Sequence, residues 1–303
     1  LDAARSLFVT DEESVLTEAL GFDSVVRVQR QRSDAFAVDR ASSCLGQVFA
    51  AADAALERDV EILWIHTSAL RDVWDAEEEQ EAEEEDLPPP IDDDGFEEEA
   101  IEAPRVTLEL PESSDPPERQ LHDDDHPDLV FRWMQRYGAN VRAFDDLVGG
   151  AMEAWKTRKP SCLIAGTSGV SLGENGWIGH GVGPLRSGDI RLPFLVSADG
   201  PLRIHQLAGD LVFVDVLKRL AAGQPVVTSE AWAAPVDPEK RIEIDSDRAE
   251  RAVTTEKWFY VRDFPSNDGR GLASDKLFLK PDDQFDANDV ARLRRDVLAG
   301  FDR

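Results

Sequence analysis

A loop of small residues in the second half of the chain is the first place where the sequence suggests chemistry. Leu163–Gly181 reads LIAGTSGVSLGENGWIGHG, an apolar run that ends abruptly in small residues, as loops do where they leave a sheet at active sites. Its ionisable side chains are Glu174 and His180, and its first half offers the neutral hydroxyl groups of Thr167 and Ser168. Divalent cations prefer carboxylate and imidazole ligands, so these hydroxyls are poor substitutes for a metal site.

A second group of polar residues follows the apolar run Ile62–His66 (ILWIH), which is typical of a strand covered on both faces. His66 ends this run, and Arg71 lies in the loop that follows. In open α/β sheets, ligands bind beyond the carboxyl ends of the strands. We therefore expect His66–Trp74 and Thr167–His180 to lie side by side. His66 also suits a structural, hydrogen-bonded histidine, and Arg71 suits either an anion ligand or a partner for the acidic segment.

Common motifs and cysteine chemistry give no complete mechanism. The loop has no Lys, which a phosphate-binding G-x-x-x-x-G-K-S/T motif requires, and G-x-G-x-x-G is absent. The two cysteines, Cys44 and Cys162, lie outside any C-x-x-C spacing. Their number and spacing exclude a disulfide framework and a zinc-ribbon site. We expect both to be buried structural thiols.

The negative charge of the chain is concentrated in one segment. Asp72–Pro104 contains 17 Asp or Glu and no Lys or Arg, more than half of the net charge of −29. This charge argues against nucleic acids and anionic membranes as partners, because clustered Lys and Arg are needed to bind phosphate groups. No apolar run approaches the roughly 20 residues that a membrane helix requires.

The acidic segment also predicts a break in the folded core. EEEQEAEEEDLPPPIDDDGFEEE combines dense like charge with three consecutive prolines. Repulsion and low apolar content leave the entropy of ordering uncompensated, so we expect a largely disordered insertion over about residues 77–125. Arg105–Leu110 (RVTLEL) alternates in polarity and predicts an edge strand. The run lacks the D-x-D-x-D-G spacing of a tight calcium site, which favours a solvated loop.

Hydrophobic patterns predict the elements that carry the loops. Apolar runs predict strands at Ser6–Thr10, Val25–Val28, Ile62–His66, Cys162–Ala165, Ile190–Val196, Lys257–Val261 and Lys276–Leu279. Helical periods predict helices at Ala41–Leu56, Asp128–Trp155, Gly209–Leu220 and about Ala287–Phe301. The alternation predicts an α/β core of three layers, with a mainly parallel sheet flanked by helices, over residues 1–230. Residues 231–303 are predicted to form a small C-terminal α+β subdomain.

Four stretches of the sequence occur in the order of the motifs of a known family. They are ILWIHTSALRDVW, YGANVRAFDDLVGGAMEAW, IAGTSGVSLGENGWIGHG with DIRLPFLV, and RAVTTEKWFYV with KLFLKPDDQFDANDVA. Together they resemble the sulfatases, a branch of the alkaline phosphatase superfamily, and they cover nearly the whole chain. Ala165–Asn175 (AGTSGVSLGEN) lies without gaps on the sulfatase motif T-S-D-H-G-x-x-L-G-E-H. The resemblance implies an alkaline-phosphatase-like sheet.

The resemblance also implies a site that has lost its charged groups. The Asp and His that hold the metal and touch the sulfate in active sulfatases correspond here to Thr167 and Ser168. The sulfate-binding Lys falls near His180, and the His that serves the leaving group corresponds to Arg71. Without the Asp, the charge of a divalent ion is not balanced and transition-state oxyanions lose their electrostatic partner. The retained framework positions are His66, Gly169, Leu172, Gly173, Glu174, Pro193, Trp258 and Asn288.

The sequence therefore predicts a sulfatase-like protein of the sulfuric ester hydrolase family that is catalytically degenerate and retains binding of a sulfated or other anionic small molecule or glycan. The candidate ligand-binding residues are His66, Arg71, Thr167, Ser168 and His180; no cofactor is expected. One alternative is an active metal-dependent sulfatase using Ca²⁺ or Mg²⁺, whose C/S-x-P-x-R nucleophile motif would lie upstream of Leu1. The other is a non-enzymatic interaction protein acting through the acidic loop.

Overall fold

The structure is a computed structural model of the chain. It describes residues 5–15, 21–31, 36–37, 39–56, 60–76, 113–181, 183–197, 207, 209–226, 241–246, 250–263 and 274–301. Most of the predicted insertion, including the predicted strand Arg105–Leu110, lies outside these ranges. The chain forms two compact units. The first unit comprises Asp2–Pro117 and Asp123–Thr157, and the second comprises Glu118–His122 and Arg158–Arg303.

The strands and helices follow one another along the chain. The strands are β1 (Ser6–Thr10), β2 (Ser24–Arg27), β3 (Ile62–His66), β4 (Arg119–Gln120), β5 (Leu163–Ala165), β6 (Ser171–Leu172), β7 (Trp177–Gly179), β8 (Phe194–Val196), β9 (Ile242–Asp245), β10 (Glu250–Thr254), β11 (Trp258–Asp263) and β12 (Ser274–Leu279). The helices are α1 (Cys44–Leu56), α2 (Ala69–Asp72), α3 (Pro127–Ala154), α4 (Ser187–Ile190), α5 (Asp210–Ala221) and α6 (Arg295–Leu298). Short 3₁₀ turns occupy Lys156–Arg158 and Glu174–Gly176.

A parallel sheet of three strands, in the order β2-β1-β3, is the centre of the first unit. Thr10 of β1 is in register with Arg27 of β2 and His66 of β3, so the carboxyl ends of the three strands lie at one edge. Leu7 and Val9 of β1 are buried against Val48 of α1. The residues of β3 are half-buried throughout, whereas the continuous apolar run predicts full burial on both faces.

The long helix α3 closes the first unit on the side of α1 and α2. It begins with Pro127 at its first turn, and the His126 side chain accepts a hydrogen bond from the Asp128 backbone, as an N-cap does. Its buried positions are Trp133, Arg136, Asn140 and Ala143, which repeat every three or four residues. Their spacing explains why the helical period over Asp128–Trp155 predicts this element correctly.

Antiparallel pairing dominates the second unit. Its largest sheet has the order β12-β11-β10-β9, and smaller sheets pair β4-β7-β6 and β5-β8. Along β11, Phe259 and Val261 join one buried cluster while Tyr260 joins another, because successive side chains of a strand point to opposite faces. Among the described strands, parallel pairing is confined to β2-β1-β3, so the fold class shown is mixed α/β with separate parallel and antiparallel sheets.

Two predicted elements near the chain's second half are shorter than expected. The apolar run Ile190–Val196 contributes only β8, since Ile190 ends α4 and residues 191–193 lie outside both elements. The predicted helix at about Ala287–Phe301 is reduced to α6.

The described residues 113–125 contain β4, which pairs with β7, so part of the predicted disordered insertion belongs to a sheet.

Candidate functional site

The carboxyl edge of the parallel sheet gathers six charged or titratable side chains, which we call the strand-end cluster. Its members are Asp11, Glu12, Arg30, His66, Arg71 and Asp72. Asp11 and Glu12 directly follow β1, Arg30 lies three residues beyond β2, and His66 ends β3. The register of the sheet brings them together, since parallel strands all end at the same edge.

Asp11 is a structural anchor within this cluster. Its carboxylate is buried and accepts hydrogen bonds from the Thr67 hydroxyl at 2.7 Å and the Ser68 backbone at 3.0 Å. The Nε atom of Arg30 lies 3.6 Å from the same carboxylate. These contacts link the end of β1 to the loop after β3, so Asp11 is committed to holding the loop in place.

Asp72 is the second anchor, and it binds both arginines. It accepts hydrogen bonds from the Ser68 hydroxyl at 2.7 Å, Arg30 Nη2 at 3.1 Å and Arg71 Nε at 2.7 Å. Burial alone would raise the pKa of Asp72, but the hydrogen bonds from Arg71, Ser68 and Arg30 outweigh it and hold that pKa far below its ordinary value. The hydrogen bond to Asp72 in turn raises the pKa of Arg71, which stays charged.

Arg30 has one donor left over. Its Nη1 atom is buried and has no hydrogen-bond partner among the residues that the structure describes. A buried donor without a partner is costly. Arg30 therefore supports the cluster through its contacts with Asp11 and Asp72, while its Nη1 donor is unsatisfied among the described residues.

His66 and Arg71 face the same carboxylate. The Nε2 atom of His66 lies 3.7 Å from one oxygen of Glu12, and Nη2 of Arg71 lies 3.8 Å from the other. The Nδ1 atom of His66 is 3.1 Å from the Thr10 hydroxyl, which accepts a hydrogen bond from the Glu12 backbone. When Thr10 donates its own hydrogen to Nδ1, the proton of neutral His66 is on Nε2 and points to Glu12.

In the second unit, the loop after β5 is packed tightly against α4. The Gly166 backbone donates to Pro193 at 2.9 Å and the Gly169 backbone donates to Asp189 at 3.1 Å. A side chain at Gly169 would place its Cβ 2.2 Å from the Gly188 carbonyl oxygen. Thr167 and Ser168 lie between these contacts and are exposed.

His180 and Glu174 organise the same loop. Nδ1 of His180 lies 2.9 Å from the Gly169 carbonyl oxygen, which can only accept, so this nitrogen carries hydrogen. Glu174 accepts a 2.6 Å hydrogen bond from the Leu172 backbone. In neutral His180 the other ring nitrogen, Nε2, is then an acceptor.

The spacing of Gly169–Gly173 (GVSLG) is that of a G-x-S-x-G nucleophile elbow, which the sequence reading overlooked. The structure does not support that role. Ser171 lies in β6 and pairs with Gly179 of β7, whereas an elbow places its serine on a sharp turn from strand to helix. Ser171 is therefore a strand residue.

A buried trio in the second unit combines a serine, a lysine and an aspartate. Lys280 Nζ donates to the Ser187 hydroxyl at 2.9 Å and forms an ion pair with Asp286, and all three residues are buried. Asp286 also accepts from the Ser187 backbone at 2.6 Å. An ammonium group paired with a carboxylate has no lone pair with which to activate a serine, so this trio is structural.

The predicted site residues fall in two units. His66 and Arg71 are brought together in the first unit, and Thr167, Ser168 and His180 lie in one loop of the second. Arg71 is paired with Asp72 and Glu12 among the described residues. The sequence reading missed the roles of Glu12, Arg30 and Asp72. The acidic pair Asp11-Glu12 at the end of a predicted strand is the signal that could have found Glu12.

Within the described ranges, no group of three or more His, Cys, Asp or Glu side chains is arranged to hold a metal ion. The Thr167–Ser168 pair offers only neutral oxygens at the position where the resemblance expects an acid and an imidazole, which does not fit a divalent cation.

No helix in the described ranges has the length and apolar character that crossing a membrane requires.

Comparisons with known proteins find similarity among solved structures. No protein-family model matches the sequence, and no curated protein matches it. Among solved structures, the chain is similar to BT4656 in complex with its substrate D-glucosamine-2-N,6-O-disulfate, with 13% sequence identity and a TM-score of 0.43. The match covers 58% of this chain and 41% of that chain. The chain thus spans about two-fifths of the length of that protein.

Proposed function

We propose that the protein is a sulfatase-like binding protein that recognises a sulfated or other anionic small molecule or glycan and does not hydrolyse it with the residues of this chain. The observation that carries the proposal is the convergence of His66 Nε2 and Arg71 Nη2 on one carboxylate, that of Glu12, at 3.7 and 3.8 Å. We propose that an oxyanion of the ligand takes the place of this carboxylate between His66 and Arg71.

The chemistry of the two donors suits a sulfate group. A guanidinium forms charge-assisted hydrogen bonds to sulfate oxygens, and the imidazole N–H adds a second donor of fixed direction. Asp72 accepts hydrogen bonds from Arg71 Nε at 2.7 Å and Nη2 at 3.4 Å, and the same Nη2 atom lies 3.8 Å from Glu12. Both His66 and Arg71 are partly exposed, so a ligand reaches them from solvent.

The absence of hydrolysis rests on the second loop. Thr167 and Ser168 cannot replace the charged pair that balances a cation and stabilises a developing oxyanion. Their exposed hydroxyl groups, with Nε2 of His180, suit hydrogen bonds to the hydroxyl groups of a sugar. Within the second unit, Thr167, Ser168 and His180 are therefore proposed as polar residues suited to contact a ligand, with no catalytic role.

The test is calorimetric titration of the purified chain with a monosaccharide sulfate and with the same sugar lacking sulfate. We expect the sulfated sugar to bind more tightly. Arg71→Gln should weaken its binding by about 10- to 100-fold, as expected for the loss of a hydrogen bond to a charged group. Arg132→Gln, at an exposed position of α3 in the same unit, serves as the matched control and should change affinity less than about twofold.

Two results would overturn the proposal. One is equal binding of both sugars, which would show that the sulfate is not recognised. The other is catalytic release of sulfate from the sugar or from an aryl sulfate by the purified chain, which would establish the hydrolase alternative.

A further inference from the structure

We infer that Glu12 is a tethered competitor that occupies the anion position of the strand-end cluster and thereby lowers its affinity for free anions. This inference rests on the proposed function. It assigns to Glu12 a role opposite to that of a ligand contact: its carboxylate must leave before a sulfate or another oxyanion can reach His66 and Arg71.

Glu12 differs from the other two carboxylates of the cluster in how it is held. Asp11 and Asp72 each accept at least two hydrogen bonds from the loop after β3 or from the arginines. Among the described residues, the Glu12 side chain accepts one, from the Ser14 hydroxyl at 2.7 Å in the exposed turn after β1. Glu12 is therefore the carboxylate that can be displaced without breaking the links between strands.

His66 and Arg71 hold the Glu12 carboxylate only loosely. Distances of 3.7 and 3.8 Å exceed the 2.7 to 2.9 Å typical of charge-assisted N–H···O hydrogen bonds, so the attraction is electrostatic and partly screened by water. One carboxylate oxygen faces His66 and the other faces Arg71. A free oxyanion that takes this place can approach both donors at full hydrogen-bond distance.

Charge gives Glu12 a second effect on a ligand. The cluster has three carboxylates against two guanidinium groups, so with neutral His66 it carries one net negative charge. Swinging the Glu12 carboxylate out, or neutralising it, leaves the remaining charges balanced. An incoming anion must therefore outcompete a carboxylate that the chain keeps nearby at high effective concentration.

The test compares Glu12→Gln and Glu12→Ala with the wild-type chain in calorimetric titrations with the monosaccharide sulfate. Removing the charge of the competing carboxylate should tighten binding roughly tenfold in both variants. Glu13→Gln is the matched control, because it removes the same charge at the neighbouring exposed position, and it should change affinity less than about twofold. Acetate should bind measurably better to Glu12→Gln than to the wild type.

The outcomes separate the two proposals. If the wild type binds the sulfated sugar through Arg71 but Glu12→Gln binds it equally or more weakly, Glu12 is not a competitor and this inference is wrong while the proposed function stands. If neither chain binds it and circular dichroism shows both folded, the proposed function fails, and the inference fails with it. If Glu13→Gln increases the affinity for the sulfated sugar as much as Glu12→Gln does, the effect comes from the net charge of the region. That result would also overturn the inference.

Discussion

The hydroxyl group of Ser68 donates a 2.7 Å hydrogen bond to the carboxylate of Asp72, four residues further along the chain. The same carboxylate oxygen receives Arg30 Nη2 at 3.1 Å, and Arg30 Nη2 also donates to the Ser68 hydroxyl at 3.2 Å. These three groups form a closed triangle at the carboxyl edge of the parallel sheet. The triangle joins the segment after β2 to the segment after β3 and orients Arg71.

Asp72→Asn should lower the free energy of unfolding at pH 7 by about 1 to 3 kcal/mol, because hydrogen bonds to a charged group are replaced by weaker neutral ones. The folded-state pKa of Asp72 is depressed, so its contribution is fully present above its ordinary value of 3.8 and is lost as pH falls below it toward the folded pKa. Urea unfolding at pH 7 and near pH 3 measures both effects. The difference between wild type and variant should shrink at the lower pH.

Asp145→Asn provides the control for this experiment, since Asp145 is an exposed carboxylate on α3 of the same unit. It should alter stability little at either pH. A stability difference for Asp72→Asn that is the same at both pH values would contradict the assigned cause.

Lys280→Met should destabilise the protein by about 3 to 5 kcal/mol, because it leaves the buried carboxylate of Asp286 without its counter-charge. Lys280→Met combined with Asp286→Asn should recover part of that loss, since the unpaired charge is then removed as well. Chemical denaturation followed by tryptophan fluorescence measures the three chains. Lys257→Met, at an exposed position in the same unit, is the control. A loss for Lys280→Met no larger than for this control would refute the prediction.

Gly169→Ala should lower stability by about 1 to 3 kcal/mol, because the new methyl group meets backbone atoms of Gly188 and Asp189 that cannot move independently. The substitution should also change the environment of His180, whose ring bonds to the Gly169 carbonyl. Gly188→Ala is the matched control, since no atom lies within 4 Å of a Cβ at that position. Thermal unfolding and the His180 ring signals in NMR spectra report both effects. Equal melting temperatures for the two variants would show that the loop is not packed as described.

The two thiols should differ in reactivity. Cys44 is fully buried, while Cys162 is half-buried rather than buried as the sequence indicates. Burial raises the pKa of the Cys162 thiol, so it is less ionised at pH 8 than an ordinary cysteine and should react slowly with a disulfide reagent. Mass spectrometry of the native protein should show Cys162 modified first and Cys44 only after unfolding, with Cys162→Ala as the control. Modification of Cys44 first would contradict this order.

The elements with strong local patterns could be predicted from the sequence. The strand Ser6–Thr10 matches its predicted bounds, and α3 ends within one residue of the prediction, because apolar residues recur there with the period of the element. The predicted helix at about Ala287–Phe301 is wrong over most of its length. Val290 instead donates its backbone N–H to Leu277 of β12, and the Asp289 carboxylate accepts from the Leu277 backbone. Such long-range contacts override local propensity.

The candidate site could be predicted only in part, because local sequence patterns identify some of its residues and not others. His66 and Arg71 follow a conspicuous apolar run, so a strand-end argument finds them. Glu12 and Asp72 acquire their roles from register and packing: Thr10 lies opposite His66, and Ser68 and Arg30 converge on Asp72. No periodicity in the sequence predicts these contacts, because they depend on which strands become neighbours.

The strand β4 lies, in sequence, between two stretches of the first unit, yet it hydrogen-bonds to β7 in the second. A single break in the polypeptide therefore cannot yield both units whole. A fragment that starts at Arg158 leaves one border of β7 open, and one that stops at Thr157 carries an orphaned β4. Gene fusion or exchange at the Thr157–Arg158 junction would separate β4 from its partner strand β7.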